Sequence, residues 1–374
     1  MNDDLIDAET LSLGRKSVLP GTGFFIPNSL DEEVTEERAA EALADADVAV
    51  IADPDPDGLG CVSVIRESFD GEVALIPAGP YDLHEALEFV GEYGEKGITL
   101  FICDLCPDDY SWIARPLAEA STRARGQIRW FDHHRWQDDI IDAVEKAGVD
   151  LVLGDSDEEC TVDVAVRALD RELPEHAEEL AAVTRDHDLW IKEDPRSDDL
   201  ADYCFWVEPE EYVRIVGRFG PDLPEPVRAF VEERRIEKNE LIDRAVARAD
   251  VREVGPWSVA VTYGRCSQNE VADELSNRGA DAAVIVKPAG SASIRGSDGF
   301  ERAHEVARKV NGGGHPRAAG CKPPIYNDML DYAHHWVTRG AETKRVILDA
   351  FEAVAREVEE EERAEGADEE DGSD

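Results

Sequence analysis

Asp132-His133-His134 is the triplet in this chain with the most chemistry in it. It follows Gln127-Ile128-Arg129-Trp130-Phe131, a short β-like run, so one carboxylate and two imidazoles leave the end of a strand. Such an edge suits a metal ion or a phosphate. Three more segments deliver similar groups. Val48-Ala49-Val50-Ile51 runs into Asp53-Pro54-Asp55-Pro56-Asp57-Gly58, Thr99-Leu100-Phe101-Ile102 runs into Asp104, and Thr184-Arg185-Asp186-His187-Asp188 adds a last acidic cluster. Mixed carboxylate and imidazole donors suit Mn²⁺, Fe²⁺ or Mg²⁺ better than structural zinc. A carboxylate shared by two such ions holds them about 3.5–4 Å apart, the spacing for in-line attack of a metal-activated water on phosphorus.

Each motif has a plainer reading beside the chemical one. Asp53, Asp55 and Asp57 repel one another, and either a cation offsets this or the turn is simply solvated. Pro54 and Pro56 stiffen that turn, and Gly58 lets the backbone approach a ligand. Adjacent strand residues point to opposite sides, so one of His133 and His134 is expected to meet metal and the other substrate. Asp132 then orients an imidazole through its second nitrogen. Asp186 is favoured over Asp188 as a ligand. Gly312-Gly313-Gly314-His315 follows a helix-like stretch, where one glycine suffices to stop a helix. Three glycines suggest a backbone passing close to a phosphate or nucleotide, with His315 as donor, or else a flexible turn. Arg295 is either a bidentate phosphate clamp or a solvated strand arginine. Cys103 and Cys106 have C-x-x-C spacing, but no second cysteine pair matches it.

Composition narrows the setting. The 374 residues include 85 Asp and Glu against 39 Lys and Arg, a formal net charge of −46. Apolar periodic segments run through most of the chain, so the acidity predicts a folded halophilic protein from a high-salt cytoplasm rather than a disordered one. Near 1 M salt the Debye length falls to about 3 Å and self-repulsion is screened. Binding nucleic acid through many lysine–phosphate contacts weakens steeply in salt. The burden of binding therefore falls on metal–phosphate bonds, a few placed Arg and His, and base stacking. No run of about 18 apolar residues predicts a membrane span. The acidic start, Met1-Asn2-Asp3-Asp4-Leu5, lacks the regions of a signal peptide. A cytoplasmic location and no membrane partner are expected, and the seven scattered Cys do not form a disulfide framework.

The pattern predicts an α/β fold. Strand-like runs at Val48–Ala52, Val73–Ala78, Ile98–Cys103, Ile128–Phe131 and Leu151–Leu153 alternate with helical stretches at 58–69, 83–92 and 110–123, which implies a parallel sheet with helices on both faces. Sites in such sheets form at the carboxyl ends of strands, where Asp55, Asp57, Asp104 and His133 fall. The expected organisation is an N-terminal segment over 1–40, with a loop at 20–23, and the parallel-sheet domain over 41–215. A linking helix over 216–250 follows, then a smaller α/β domain over 251–345. A helix from 346 and a disordered acidic tail over 359–374 end the chain.

Taken together and in order, these motifs resemble the DHH phosphoesterases. Asp55-Pro56-Asp57-Gly58, Asp104, Asp132-His133-His134 and Asp186 are similar to the four motifs of that family. Gly312-Gly313-Gly314-His315-Pro316-Arg317-Ala318-Ala319-Gly320 resembles the signature of its associated C-terminal domain. The resemblance implies a two-lobed enzyme with one or two Mn²⁺ or Mg²⁺ ions in a cleft between the lobes. It assigns the metal to Asp55, Asp57, Asp104, His133 and Asp186, with Asp104 bridging and Asp53 near the first ion. It assigns phosphate to His134, and substrate to Arg295, His315 and Gly312–Gly314. Small-substrate branches of the family carry a His where this chain has Ile51, four residues before Asp55. The pattern here, with Asp53, is closer to the RecJ-like exonuclease branch, although the length leaves no room for the extra oligonucleotide-binding domain of bacterial RecJ.

The expected activity is hydrolysis of single-stranded DNA, RNA or short oligonucleotides from an end, with replication or repair proteins as further partners. Two rivals belong to different classes. One is a hydrolase of a cyclic dinucleotide or nucleoside bisphosphate. The other is a non-catalytic replication-complex subunit, against which the near-complete ligand set argues.

Overall fold

Val48–Ala52 forms strand β1, apolar and buried at every position. A strand buried on both sides needs cover on both faces of its sheet, the situation of a parallel strand in a doubly wound fold. The computed structural model describes residues 28–264, 267–287, 291–323 and 341–371. In it β1 pairs in parallel with β2 (Val73–Pro77) and β3 (Thr99–Cys103). Strands β4 (Ile128–Asp132) and β5 (Asp150–Leu153) continue the sheet in parallel, and the order is β2-β1-β3-β4-β5.

Alternation along each strand splits the first unit's core in two. Val48, Val50, Ala52, Phe101, Cys103 and Phe131 pack on one face. Their cover comes from α2 (Pro56–Ser68), α6 (Thr161–Ala168), α7 (Ala177–Asp188), α8 (Pro195–Trp206) and α9 (Pro209–Phe219). Ala49, Ile51, Leu100, Ile102 and Trp130 pack on the other, under α1 (Asn28–Leu43), α3 (Leu83–Tyr93), α4 (Tyr110–Ala124) and α5 (Asp138–Lys146). The strand order reverses between β1 and β3, so the loops leaving their carboxyl ends diverge and open a crevice there.

Contacts divide the chain into two units, Met1–Arg234 and Arg235–Asp374, within α10 (Glu225–Ala247). Val227 and Val231 of α10 belong to the first core, and Ala245 and Val246 pack in the second unit. Helix α9 crosses the boundary expected after residue 215, because Val216 is fully buried in the first core along with Tyr212 and Ile215.

The second unit is built on a mixed six-stranded sheet of order β10-β11-β9-β8-β7-β6. Its strands are β6 (Asp250–Val254), β7 (Trp257–Tyr263), β8 (Ala282–Val286), β9 (Ala292–Gly296), β10 (Gly312–Gly314) and β11 (Ala318–Cys321). Helix α11 (Gln268–Asn277) covers one face, and α12 (Ala303–Lys309) with α13 (Ala341–Asp371) covers the other.

Two expectations change here. The glycine triplet is an antiparallel edge strand, not a loop. A Cβ at Gly312 would lie 2.1 Å from the carbonyl oxygen of Gly320, and one at Gly314 would lie 2.6 Å from that of Ala318. Close strand approach therefore requires both glycines, whatever else the hairpin binds. The acidic end is also helical as far as Asp371. Ala and Glu are strong helix formers, and Arg363 pairs with Glu359 one turn back. The loop expected at 20–23 lies outside the described residues. Among the described residues no helix is long and apolar enough to cross a membrane.

Candidate metal centre

The loop leaving β1 turns straight into α2. Asp55 is the N-cap, and its Oδ1 accepts from the amides of Asp57 and Gly58, both at 3.0 Å. Pro56 opens the helix, where a missing N–H costs nothing. A Cβ at Gly58 would lie 2.3 Å from the Asp53 carbonyl oxygen. Gly58 thus accommodates the chain's own backbone, where the sequence suggested a ligand. Asp57 is 1% exposed. Its two oxygens accept from the first amides of α6, Thr161 N to Oδ2 at 2.7 Å and Val162 N to Oδ1 at 2.9 Å. A helix N-terminus is a favourable place for a carboxylate.

Asp104 follows β3 with φ +59°, a left-handed conformation in a residue other than glycine. Asp tolerates that region better than most residues, and such strain gathers at functional sites. The Thr161 hydroxyl donates to Asp104 Oδ1 at 2.9 Å. Asp132 ends β4 and is fully buried. Its Oδ1 accepts from His133 N at 2.9 Å and His134 Nδ1 at 2.7 Å, and its Oδ2 from Trp136 Nε1 at 2.6 Å. Of the two imidazoles, the one whose ring Asp132 holds is His134.

The donors meet at His133, which is 7% exposed. Its Nε2 lies 3.8 Å from Asp57 Oδ2, 3.7 Å from Asp104 Oδ1 and 3.4 Å from Asp188 Oδ2. Two groups of ligand atoms form, Asp57/His133/Asp188 and Asp104/His133/His134, each with all its atoms within 4.8 Å of one another. His133 belongs to both. Asp188 Oδ2 is buried and accepts no hydrogen bond, which costs free energy unless something else meets it. A hard divalent cation fits this donor set.

The charge balance points the same way. Burial, then the charge of Asp57 and other nearby acids, pushes Asp104 and Asp188 well above the usual carboxylate range. Burial followed by the Asp57 charge also raises Asp55. Burial alone would raise Asp132, but the His134 charge and hydrogen bond outweigh it and hold Asp132 low. Burial opposes the charge on His134, yet Asp132 prevails and brings it up to about 9. The site is thus a set of mutually repelling acids with one stable carboxylate–imidazolium pair at its side.

Asp186 does not face this cluster. Its Oδ1 accepts from Glu193 N at 2.8 Å and its Oδ2 from Ser197 Oγ at 2.6 Å. Both oxygens are spent on the turn after α7, where Trp190 and Lys192 have positive φ. Residues two apart on a helix point to nearly opposite sides, so Asp188 turns inward instead. One sequence signal existed: Asp188 continues the buried stripe Ala177, Ala181, Thr184 at helical spacing. Thr161 went unread, because a threonine at a helix start looks like any other. Asp53 and Asp55 belong to neither donor group. Cys103 is buried in β3, and Cys106 also stays outside both groups.

In the second unit Arg295 lies on β9. Its Nε donates to Asn269 Oδ1 at 2.8 Å and its Nη1 to the carbonyls of Ile294 and Ala319 at 3.1 and 3.4 Å, and among the described residues no carboxylate pairs with it. His315 sits in the β10–β11 turn, with its amide on the Ala318 carbonyl at 2.7 Å. Arg295 pairs in register with Ala318, so the guanidinium, the glycine strand and His315 share one end of this sheet.

No protein-family profile matches the chain, and no curated protein matches its sequence. Among solved structures it is similar to exonuclease RecJ bound to manganese, with a TM-score of 0.55 and 15% identity over 86% of this chain and 94% of that one. RecJ from Thermus thermophilus in complex with Mn²⁺ is more distant, with a TM-score of 0.48 and 16% identity over 90% of this chain and 57% of that one. The DHH domain of a member of the S1p family of ribosomal proteins has a TM-score of 0.49 and 13% identity over 84% and 93%. At these identities the likeness is one of fold.

Proposed function

We propose, for a chain that has the DHH, RecJ-like phosphoesterase fold, a metal-dependent phosphodiesterase that removes nucleotides from the end of single-stranded DNA, RNA or short oligonucleotides. The observation that carries this reading is the convergence of Asp57, Asp104, Asp188, His133 and His134 at the carboxyl edge of the sheet, with Asp188 Oδ2 buried and without a hydrogen bond. Asp57, Asp104, Asp188 and His133 hold Mn²⁺ or Mg²⁺. When bound, the metal lowers the pKa of a water and offsets charge on the phosphate.

The chain's own groups do the rest. Asp57 is immobilised by the N-terminus of α6, and Thr161 fixes Asp104 beside it, so the acids need no reorganisation on binding. The charged His134, held by Asp132, donates to a phosphate oxygen and stabilises charge as it develops. Among the described residues Arg295 has no carboxylate partner, in a chain rich in them, which suits a guanidinium kept for phosphate.

The test is hydrolysis of end-labelled DNA and RNA oligomers with Mn²⁺ or Mg²⁺ in molar KCl, beside a cyclic dinucleotide and a nucleoside bisphosphate. Release of nucleotides from strand ends supports the proposal. Turnover of the small compounds alone replaces it with the small-phosphoester reading. Metal binding without any turnover leaves a non-catalytic subunit.

A further inference from the structure

We propose that Trp112 and Tyr81 form a stacking platform for the bases of a single strand whose scissile phosphate lies at the metal centre. The inference rests on the phosphodiesterase reading above and names what holds the rest of the substrate. Six large apolar side chains stand exposed among the described residues, and only these two are aromatic, Trp112 at 54% and Tyr81 at 48%.

Their placement is specific. Tyr81 lies in the loop leaving β2, and Trp112 is the third residue of α4, which follows β3. In the sheet β1 lies between β2 and β3. The two residues therefore follow the strands that flank the one leading into the acid turn of Asp55 and Asp57. They sit at the N-terminal ends of α3 and α4, which pack side by side. Trp112 makes no ring or cation contact among the described residues. Trp190, two residues past Asp188, differs in this, because Lys192 Nζ lies 4.0 Å over its ring.

The chemistry around the rings selects the ligand. Residues 78–84 and 104–114 contain no Lys or Arg, while Asp82, Asp104, Asp108 and Asp109 are present, and Arg115, one turn past Trp112, is tied to Glu88 and Glu119. Acids outnumber bases there, and the one nearby guanidinium is already paired, so phosphates are disfavoured. A flat, uncharged face is accepted, and every nucleobase has one. Stacking is tolerant of sequence and releases no counterions, so it survives salt that abolishes lysine–phosphate binding. A platform of this kind fits a strand-binding protein with a net charge of −46.

The experiment compares the full chain with Trp112→Ala, Trp112→Phe and Tyr81→Ala, with Mn²⁺ in molar KCl. Substrates are a dinucleotide, a strand of about eight nucleotides, and the same strand made abasic beyond the scissile end. Trp112→Ala should lower the ratio of kcat/KM for the strand to that for the dinucleotide by about tenfold, with the loss in KM, and Trp112→Phe should restore most of it. The abasic strand should behave as the dinucleotide does. An unchanged ratio, or the same Trp112→Ala effect on the abasic strand, overturns the platform. If the unaltered protein cleaves no strand at all, the functional reading fails by itself. The platform is then judged by quenching of tryptophan emission by an adenine octamer, and it falls if Trp112→Phe leaves that quenching unchanged.

Discussion

Thr161 holds Asp57 by a single main-chain hydrogen bond of 2.7 Å, from the first amide of α6 to Oδ2. The same residue sends its hydroxyl to Asp104 Oδ1. One buried threonine thus fixes acids from two strands that lie 47 residues apart in sequence, Asp57 and Asp104. Thr161→Ala removes the hydroxyl and keeps the amide. It should cost about 1–2 kcal/mol in denaturant unfolding and weaken metal binding, while Thr161→Ser should recover both.

Asp188 and Asp186 should separate cleanly. Asp188→Asn removes a buried charge that its neighbours oppose. It should abolish metal binding and leave the metal-free protein at least as stable at neutral pH. Asp186→Asn loses an acceptor for the Glu193 amide or the Ser197 hydroxyl, and should cost about 1–3 kcal/mol of stability with a smaller loss of metal affinity. Calorimetry with and without Mn²⁺ reads both. The reverse pattern would return the ligand role to Asp186.

The raised acids give a pH dependence with a fixed sign. A carboxylate whose pKa rises on folding favours the folded state while protonated. That contribution is full below the unfolded value of about 4 and is lost as pH rises through the raised values of Asp104 and Asp188. The metal-free protein should therefore lose stability from mildly acidic to neutral pH, and the stabilisation by Mn²⁺ should grow over the same range. Molar KCl screens the general acidity, and Asp188→Asn should flatten the slope. Metal binding should also release protons, measurable as a buffer-dependent heat.

Gly58→Ala places a methyl 2.3 Å from the Asp53 carbonyl oxygen. The helix start must shift, at a cost of about 1–3 kcal/mol. Because Asp55 and Asp57 move with it, metal affinity should fall further than the stability loss alone explains. Equal losses would show that the turn is structural only.

Much of this was legible in the sequence, for identifiable reasons. β1 through β5 follow from apolar runs bounded by turn residues, and the acids at their ends follow from the parallel topology those runs imply. That Asp132 would hold an imidazole was legible because both imidazoles follow it directly at the strand end; which of the two it holds was not. The illegible parts depend on tertiary partners. Asp186 and Asp188 differ only in which side of α7 they occupy, and that is set by what α7 packs against. Gly312 and Gly314 look like phosphate-loop glycines until Gly320 and Ala318 are seen beside them. Thr161 acquires its role only when α6 arrives under two strands.

The donors at the centre come from the loops after β1, β3 and β4 and from the end of α7, and none of these segments carries more than two of the five. The full donor set therefore exists only once the first unit has folded. If the ion binds as proposed, its retention through gel filtration reports that these loops and α7 have come together in a folded first unit.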